Sequence, residues 1–231
     1  MRTAIWWVRR DLRLADNQAL TAALAASDLI IPVFVLDPCL LGSPYVGSQR
    51  TAFLFTGLRL LDQDLRQFGS RLLIRSGDPV KELTALATES GAASIFAEED
   101  ISPYARQRDD RVKDTLPLAL TVGLTVHPPD LIRKKDGHPY TVYTPFSKAW
   151  KALPRPQEID LLPKPAALNT PADLPTLPIP EEPMLSEGTL FKPGEVEALR
   201  LLEQFTTGDD PAIFAYDERR NRPDVGGTSG L

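Results

Sequence analysis

The chain has 231 residues, one cysteine (Cys39) and a formal net charge of -5. This length can bury a sizeable core without crosslinks, and a single cysteine excludes an internal disulfide and a cysteine-based zinc site, so we expect an inert, partly buried thiol in a reducing compartment. Charged residues interrupt every apolar run, which predicts a cytoplasmic protein without membrane contact, and the net negative charge restricts any DNA contact to a local patch.

Short runs rich in β-branched and aromatic residues alternate with stretches of helical period, which is typical of βαβ units around a parallel sheet. Strands are predicted over residues 3–8 and 29–36, joined by a helix to residue 26 that Asp16 or Asn17 could cap. A long amphipathic helix follows over residues 49–68 and stops at Gly69. The apolar face predicted for this helix consists of Phe53, Leu54, Leu58, Leu61 and Leu65.

The alternation continues through the next 60 residues. The turn Gly77-Asp78-Pro79 starts one predicted helix, and Ser102-Pro103 caps and starts another. The remaining predicted elements are a strand at 71–75, a helix at 80–88, a strand at 93–97, a helix at 103–114 and a strand at 124–127. The predicted fold class is therefore α/β: a Rossmann-like, open, mostly parallel five-stranded sheet with flanking helices.

The composition changes after residue 153, where ten prolines crowd into residues 154–193. Proline removes amide donors and favours extended backbone, so this stretch is predicted to be a linker that runs over a surface and joins two units. An amphipathic helix is predicted next, over residues 195–205. We expect three parts: an α/β domain at 1–130, a connecting segment and proline-rich linker at 131–193, and the start of a second, helical domain at 194–231.

The residues directly after each strand are the first candidates for a site, because ligands of open parallel sheets collect there. The charge-dense loop 9–17 could bind an anion or lock itself with ion pairs and helix caps; we favour the second reading, since no glycine-rich phosphate cradle follows the strand. Arg50 lies in the first turn of its predicted helix, where a positive charge opposes the helix dipole. Either a ligand or a carboxylate partner should therefore explain an arginine at this position. Glu98, Glu99 and Asp100 precede a helix N-terminus, a place that suits acidic residues without any ligand.

Other motifs limit the possible chemistry. His127 and His138 lack the paired spacing of metal ligands, and the chain has no nucleophile elbow, Walker motif or HExxH sequence. Phe146 and Trp150 are expected to pack in the core or between domains. From the residues alone, the prediction is an α/β ligand-binding domain whose ligand stays open.

Six ordered motifs carry a resemblance to a known family. The opening Trp7-x-Arg9-Arg10-Asp11-Leu12-Arg13-Leu14-x-Asp16-Asn17-x-Ala19-Leu20 resembles the first strand and loop of the photolyase/cryptochrome family. The other five are Pro32-Val33-Phe34-Val35-Leu36-Asp37-Pro38, Arg50-x-x-Phe53-Leu54, Gly77-Asp78-Pro79, Pro103-Tyr104-Ala105-Arg106-x-Arg108-Asp109 and Tyr140-x-Val142-Tyr143-Thr144-Pro145-Phe146-x-Lys148-x-Trp150. Two motifs near the end, Tyr216-x-x-x-Arg220-x-x-Pro223 and Gly227-Thr228-Ser229-x-Leu231, resemble the entry to the family's flavin domain.

The resemblance implies the N-terminal part of a deoxyribodipyrimidine photo-lyase, a light-dependent DNA-repair flavoenzyme. In such enzymes an α/β domain holds an antenna chromophore, and a helical domain holds FAD, which transfers an electron to a flipped-out pyrimidine dimer. The implied partners are damaged DNA and the chromophore, with a monomeric protein. Two alternatives stay open: a cryptochrome-type blue-light receptor, and a stand-alone small-ligand-binding α/β module.

Site residues follow from the resemblance by position. The antenna-binding residues are Val35, Arg50, Asp100, Ile101, Pro103, Tyr104, Arg106 and Arg108, the FAD-binding residues are Tyr216, Thr228, Ser229 and Leu231, and Arg220 is the DNA-binding residue. No metal ligand and no catalytic residue is expected within the chain.

Two further expectations follow from the resemblance. A deazaflavin antenna is favoured over folate, because Tyr104-Ala105 stands where folate-binding members carry an Asn-Glu pair, and a flavin antenna stays open. Since the chain ends inside the Thr228-Ser229 motif, we expect it to be truncated, inactive alone, unable to retain FAD and to expose an apolar face.

Overall fold

A five-stranded parallel sheet forms the centre of the molecule. The computed structural model describes residues 1–189 and 191–222. The strand order is β3-β2-β1-β4-β5, and all four neighbouring pairs are parallel. The strands are β1 (Thr3–Val8), β2 (Leu29–Leu36), β3 (Leu73–Ser76), β4 (Ser94–Glu98) and β5 (Leu118–Thr121). The predicted α/β fold class is thereby confirmed.

Helices connect the strands, and their starts follow the capping residues of the sequence. The helices are α1 (Gln18–Ala26), α2 (Pro38–Leu41), α3 (Ser48–Gln67), α4 (Pro79–Ser90), α5 (Pro103–Lys113), α6 (Tyr143–Lys151), α7 (Glu195–Thr206) and α8 (Tyr216–Arg219). Asn17 caps α1 by accepting a hydrogen bond from the Leu20 amide at 2.8 Å, and Asp78 caps α4 in the same way. Ser102 occupies the N-cap position of α5, but its side chain makes no capping hydrogen bond.

The strand β1 lies at the centre of the core, with all six of its residues buried. One face of β1, formed by Ala4, Trp6 and Val8, packs against α1 and α3. Ile5 and Trp7 pack on the opposite face with residues of α4 and α5. A strand buried on both faces is what helices on both sides of a parallel sheet require. This packing fixes where the loop after β1 leaves the sheet.

The fifth strand was predicted wrongly at residues 124–127. The structure places it at Leu118–Thr121, where Leu118 pairs with Ile95 and Leu120 with Ala97 of β4. Leu124 and Val126 are instead exposed. Both stretches are short and apolar, and pairing with β4 decides between them.

Two other expectations about single residues were wrong. Phe53 lies outside the buried stripe of α3 and is exposed, because Phe55, Leu58 and Leu61 define the helix face that meets the sheet. Cys39 was expected to be partly buried, but it is exposed in the short helix α2, which projects beyond the end of β2.

The proline-rich segment is attached to the sheet by backbone hydrogen bonds. The Ile30 amide donates to the Asn169 carbonyl at 2.9 Å, and the Leu177 amide donates to the Ile74 carbonyl at 2.9 Å. Leu168 from the same segment is fully buried in the core. Since β3 is an edge strand, residues 168–177 cover an edge that would otherwise be open.

Two helices late in the chain expose apolar side chains. The helix α6 has no buried residue, and Trp150 lies at its surface with its ring edge against His127, at a centroid distance of 5.1 Å. On α7, Val196 and Leu199 are exposed. Trp150 is therefore not a core residue. None of the helices within residues 1–189 and 191–222 has both the length and the apolar character needed to cross a membrane.

Candidate functional site

The carboxyl ends of β1, β2 and β4 meet at one edge of the sheet, where two groups of charged side chains are assembled. The chain runs outward from β1 to β2 and β3, then returns to β4 on the other side of β1. Such a reversal places the loops after β1 and β4 on opposite sides of a crevice, the usual ligand site of open α/β sheets. Side chains that follow these strands are therefore the candidates for a functional site.

The first group, the Arg9 cluster, comprises Trp7, Arg9, Tyr104, Arg108 and Asp109. Arg9 Nη1 donates to both carboxylate oxygens of Asp109 at 2.7 Å, and Arg108 Nη2 lies 3.0 Å from the same carboxylate. The two guanidinium carbons lie 4.9 and 4.7 Å from the centre of the Trp7 ring. Stacking on an aromatic face and pairing with a carboxylate are both strong interactions of arginine.

Two buried guanidinium groups share one carboxylate in the Arg9 cluster. The side chains of Arg9 and Asp109 are 6% and 3% exposed, so water cannot screen them. Burial lowers the pKa of Arg9, and the adjacent Asp109 opposes that shift. Because Arg9 Nε and Nη2 have no hydrogen-bond partner among the described residues, Asp109 and the Trp7 ring carry most of the compensation.

Tyr104 connects the Arg9 cluster to the end of β2. Its hydroxyl donates to Asp37 Oδ2, and Asp37 Oδ1 accepts from the Cys39 amide at 2.9 Å. Burial and this hydrogen bond to Asp37 raise the pKa of Tyr104, so the phenol stays protonated and acts as a donor. The Arg108 guanidinium lies 5.8 Å from the Tyr104 ring centre.

The predicted antenna-binding residues differ in burial: some are buried or half-buried at the edge of the sheet, and the others are exposed. Val35 is buried with Trp7 in the core cluster that includes residues of α4 and α5, and Arg108 lies over the Trp7 ring. Asp100 accepts a hydrogen bond from the Ser102 amide at 2.9 Å. Burial alone would raise the pKa of Asp100, but its backbone and side-chain hydrogen bonds with Ser102 and the nearby Arg10 bring that pKa below the ordinary value. The predicted residues whose side chains are exposed are Ile101, Pro103, Arg106 and Arg50.

Arg50 has no ion-pair partner in the part of the chain that the structure describes. It lies in the first turn of α3 and is exposed. A carboxylate partner was one of the two explanations for this unfavourable position, and no described carboxylate fills that role. Ligand binding is the explanation that stays open for Arg50.

The second group, the Glu98 cluster, comprises Asp11, Arg13, Gln18, Glu98 and Gly123. Arg13 Nε lies 3.0 Å from Asp11 Oδ2. Glu98 Oε1 accepts from the Ala19 amide at 2.9 Å, in the first turn of α1. A Cβ atom added to Gly123 would lie 2.1 Å from Glu98 Oε2 and 2.4 Å from Gln18 Oε1. A methyl group at position 123 would therefore displace the ends of these two side chains.

Buried oxygen atoms remain without donors in the Glu98 cluster. Glu98 Oε2 and Gln18 Oε1 make no hydrogen bond to any described residue, and Asp11 Oδ2 has its ion pair with Arg13 Nε as its contact. Burial raises the pKa of Asp11 to about 6, with the Glu98 charge adding to the shift and Arg13 opposing it. Burial also raises the pKa of Glu98. These carboxyl groups thus take up protons more readily than exposed ones.

Sequence reasoning missed the role of Glu195. Its carboxylate accepts from the Leu14 amide at 3.0 Å and the Ala15 amide at 3.2 Å, and it lies 3.3 Å from Lys164 Nζ. The loop after β1 was considered as an anion site, and the anion that it binds belongs to the chain itself. An acidic residue at a helix start suits the helix dipole, so the sequence around Glu195 gave no sign of this contact.

Two cavities lie away from the predicted antenna-binding residues. One of about 550 Å³ lies between α3 and residues 185–189 and 192–197, and one of about 570 Å³ lies beside the Glu98 cluster. Neither of these two cavities is lined by a predicted antenna-binding residue. Within the described residues, no group of three or more His, Cys, Asp and Glu side chains is arranged to hold a metal ion.

Only part of the predicted flavin and DNA site lies within the described residues. Tyr216 packs edge-on against Phe205 at a centroid distance of 5.9 Å. Arg220 is exposed directly after α8. Thr228, Ser229 and Leu231 lie outside the described residues.

A family model and curated relatives match this chain. The model described as DNA photolyase matches residues 4–167. The deoxyribodipyrimidine photo-lyase of Synechococcus sp. (strain PCC 6301) is 38% identical over 241 residues, which cover 98% of this chain and 49% of that protein. The chain thus spans about half the length of such curated relatives.

Solved structures match over a similar share. A bacterial class III photolyase from Agrobacterium tumefaciens superposes with a TM-score of 0.85 at 30% identity, covering 99% of this chain and 48% of that one. A Synechocystis cryptochrome superposes with a TM-score of 0.81, covering 96% of this chain and 49% of that one. A Sulfolobus tokodaii photolyase with two FAD molecules superposes with a TM-score of 0.73, covering 96% of this chain and 48% of that one. Both are 23% identical to this chain, so they show the fold alone. Since the family model covers well over half of the sequence, this chain belongs to the DNA photolyase family and has the α/β fold of the N-terminal part of its members.

Proposed function

We propose that this chain is the antenna-binding part of a light-dependent deoxyribodipyrimidine photo-lyase. The observation that supports this most is the position of Tyr104 and Arg108, which contact Asp37 after β2 and Trp7 of β1 at the carboxyl edge of the sheet, in a chain of this family. Tyr104 and Arg108 were selected from sequence resemblance, whereas their contacts with Asp37 and Trp7 come from the fold. An aromatic ring, a fixed hydroxyl and a guanidinium together suit a planar chromophore with polar ring atoms.

The exposed side chains around this group suggest how a chromophore would be held. Arg50 and Arg106 are exposed donors on α3 and α5, and Ile101 offers an exposed apolar side chain. Such a set fits a ring system with hydrogen-bond acceptors better than a highly cationic ligand. We favour a deazaflavin, with a flavin as the next candidate because the Sulfolobus tokodaii structure carries two FAD molecules and a proposed light-harvesting cofactor. Folate is the least favoured.

The chemistry of repair would belong to FAD, which supplies the electron when bound. Within this chain, Tyr216, Thr228, Ser229 and Leu231 are the proposed FAD contacts. Tyr216 fits this role in one respect, since the residue is 43% exposed and its ring is held by an edge-on contact with Phe205. The three parts proposed are an antenna domain at 1–130, a connecting segment at 131–193 and the start of a FAD-binding domain at 194–231. The exposed apolar residues of α7 support a further unit beside that helix.

Contact with damaged DNA is proposed through Arg220 and a local basic segment. Residues 127–155 hold six of the 26 basic residues but only two of the 31 acidic ones. Lys148, Lys151 and Tyr143 are exposed on α6, and Lys135 is exposed in the turn before it. Basic side chains interleaved with aromatic ones are typical of phosphate-backbone contact. A cytoplasmic, monomeric protein is part of the same proposal.

A cryptochrome-type receptor is the second candidate. The fold is shared with the Synechocystis cryptochrome over 96% of this chain, so the fold is compatible with either function. The two functions share an antenna domain, so a dimer-repair assay on a photo-lyase-length protein that contains this sequence separates them.

Chromophore binding by the 231-residue chain tests the antenna assignment. We expect a deazaflavin to bind with a shifted absorption band, and Arg50→Ala to weaken binding about tenfold because one charge-assisted hydrogen bond is lost. Arg66→Ala, which removes an exposed arginine near the other end of α3, is the matched control. Equal affinity of the chain and the Arg50 variant contradicts the assignment of Arg50, and absence of binding by deazaflavin and flavin contradicts the antenna function.

A further inference from the structure

We propose that a second ligand site, for a mononucleotide, lies in the cavity beside the Glu98 cluster. This cavity, the β5 cleft, has a volume of about 570 Å³. Its walls are the loop after β1, the segment after β5 and residues 154–161. The polar residues that line it are Arg13, Asp16, Gln18, His127, Arg155 and Asp160. None of them belongs to the proposed antenna or FAD sites, whereas His127 and Arg155 are the first and last residues of the segment proposed for DNA contact. The inference does not rest on the proposed function.

The position of the β5 cleft favours ligand binding. Arg13 and Asp16 follow β1, and residues 123–127 follow β5, so the cleft lies beyond the carboxyl ends of the strands and next to the reversal of strand order. Ligands of open parallel sheets collect at this place. A volume of about 570 Å³ lies within the range of small-molecule pockets.

The inner wall of the cleft is fixed by hydrogen bonds. Arg13 Nη2 donates to the carbonyls of Asp16 and Gly123 at 2.8 and 3.4 Å. The Asp16 amide donates to the Leu162 carbonyl at 2.7 Å, and the Leu162 amide donates back to Asp16 Oδ1 at 3.3 Å. Asp16 adopts a φ of +50°, a left-handed conformation that costs about 1 kcal/mol in a residue with a side chain. Asp16 thus connects the loop after β1 with the segment around residue 162 by hydrogen bonds, which holds the cleft in a fixed shape.

The charges of the cleft are separated in a way that suits a nucleotide. Arg155 is exposed at the cleft and has no ion pair among the side chains that the structure describes. His127 is a second donor there, held by its contact with Trp150. These two side chains are suited to a phosphate. Asp160 and Asp16 are carboxylates, which accept hydrogen bonds from the N–H groups of a base.

The remaining lining residues offer apolar surface for a ring. Leu124 and Val126 are exposed, although both line the cleft with Pro154 and Pro156. Large apolar side chains at a cleft wall gain free energy when a flat ring covers them. A ligand with a phosphate, apolar ring faces and N–H donors at the ring edge is a mononucleotide, and a cleft of about 570 Å³ has room for one with a purine base.

Calorimetric titration of the 231-residue chain with adenosine monophosphate tests the inference. We expect a dissociation constant below about 1 mM, with adenosine and inorganic phosphate each binding at least about tenfold more weakly. Arg155→Ala should weaken binding of adenosine monophosphate about tenfold, because a charge-assisted hydrogen bond to the phosphate is lost. Arg155 is exposed, so this variant should unfold at the same temperature as the parent chain.

Arg106→Ala is the matched control, because it removes an exposed arginine of the proposed antenna site. Unchanged binding of adenosine monophosphate by this variant supports a separate β5 cleft. The inference is overturned if adenosine monophosphate does not bind, if Arg155→Ala binds it equally well, or if phosphate alone binds as tightly. Each result leaves the antenna function untouched, since that function is measured by chromophore binding and by the Arg50 variant.

Discussion

The Arg9 cluster and the Glu98 cluster occupy the same edge of the sheet but compensate their buried charges differently. In the Arg9 cluster, Asp109 receives two guanidinium groups, and both of these also stack on Trp7. In the Glu98 cluster, carboxyl and amide oxygens are buried without enough donors. The first arrangement favours permanently charged groups, whereas the second favours protonated carboxyl groups.

This difference separates a structural frame from an adaptable region. Charges that compensate each other in a fixed geometry hold α5 against β1, so we do not expect the Arg9 cluster to rearrange. Buried acceptors without donors gain when a proton or a ligand supplies one. The β5 cleft adjoins the second cluster, which is consistent with binding at the adaptable side of the edge.

Among the substitutions that test this comparison, removal of the Asp109 carboxylate should change the free energy of unfolding most. Asp109→Ala leaves two buried guanidinium groups without a carboxylate, and we expect a loss of about 3–5 kcal/mol in the free energy of unfolding. Urea denaturation at pH 7 measures it. Asp110→Ala is the matched control, because Asp110 is the exposed neighbour on the same helix, and it should change stability by less than about 0.5 kcal/mol. Similar losses in both variants contradict the structural role of the Arg9 cluster.

Gly123 tests how tightly the Glu98 cluster is packed. Gly123→Ala would place a methyl group 2.1 Å from Glu98 Oε2, so Glu98 or the backbone must move, and we expect a loss of about 2–3 kcal/mol in the free energy of unfolding. Gly47→Ala is the control, since a Cβ there meets no atom within 4 Å. Thermal and urea unfolding of both variants give the comparison. A Gly123 variant as stable as the control means that the cluster has room to spare.

The sheet was largely predictable from sequence because its burial pattern repeats locally. β1 and β2 are continuous apolar runs, and α4 begins at a turn, a capping aspartate and a proline in sequence. The position of the fifth strand was predicted wrongly because two neighbouring apolar stretches look alike in isolation. Only the register of β4 with Leu118 distinguishes them, and that register depends on residues more than twenty positions away.

The site was less predictable, because its contacts join distant parts of the chain. Arg9 and Asp109 are 100 residues apart, and the Glu195 carboxylate reaches the Leu14 amide across 181 residues. Each of these residues has a local explanation, as a solvated charge or a helix-end acid, that hides its partner. The sequence thus identified the edge of the sheet where charges gather, while the pairing of those charges required the fold.

The smallest expected effect concerns the proton on Asp11. Its pKa of about 6 in the folded chain lies above the value of 3.8 for an unperturbed aspartate, so between pH 4 and 6 the folded chain holds a proton that the unfolded chain has lost. Stability from this group is therefore full below pH 4 and falls as the pH rises through 6. Asp11→Asn cannot titrate, so the stability of the parent chain relative to the variant should fall by about 1–2 kcal/mol across this interval.

Urea denaturation of both proteins at pH 4, 5, 6, 7 and 8 measures the difference, and it should be level above about pH 7 because Asp11 is then ionised in both states. Other carboxyl groups titrate in the same interval, but they are common to the two proteins and cancel in the difference unless they are coupled to Asp11. Glu98 is so coupled, because its charge raises the pKa of Asp11. The same series in a Glu98→Gln background should therefore show a smaller fall. A difference that stays constant or rises between pH 4 and 6 would mean that Asp11 is ionised there in the folded chain, and that Arg13 outweighs its burial.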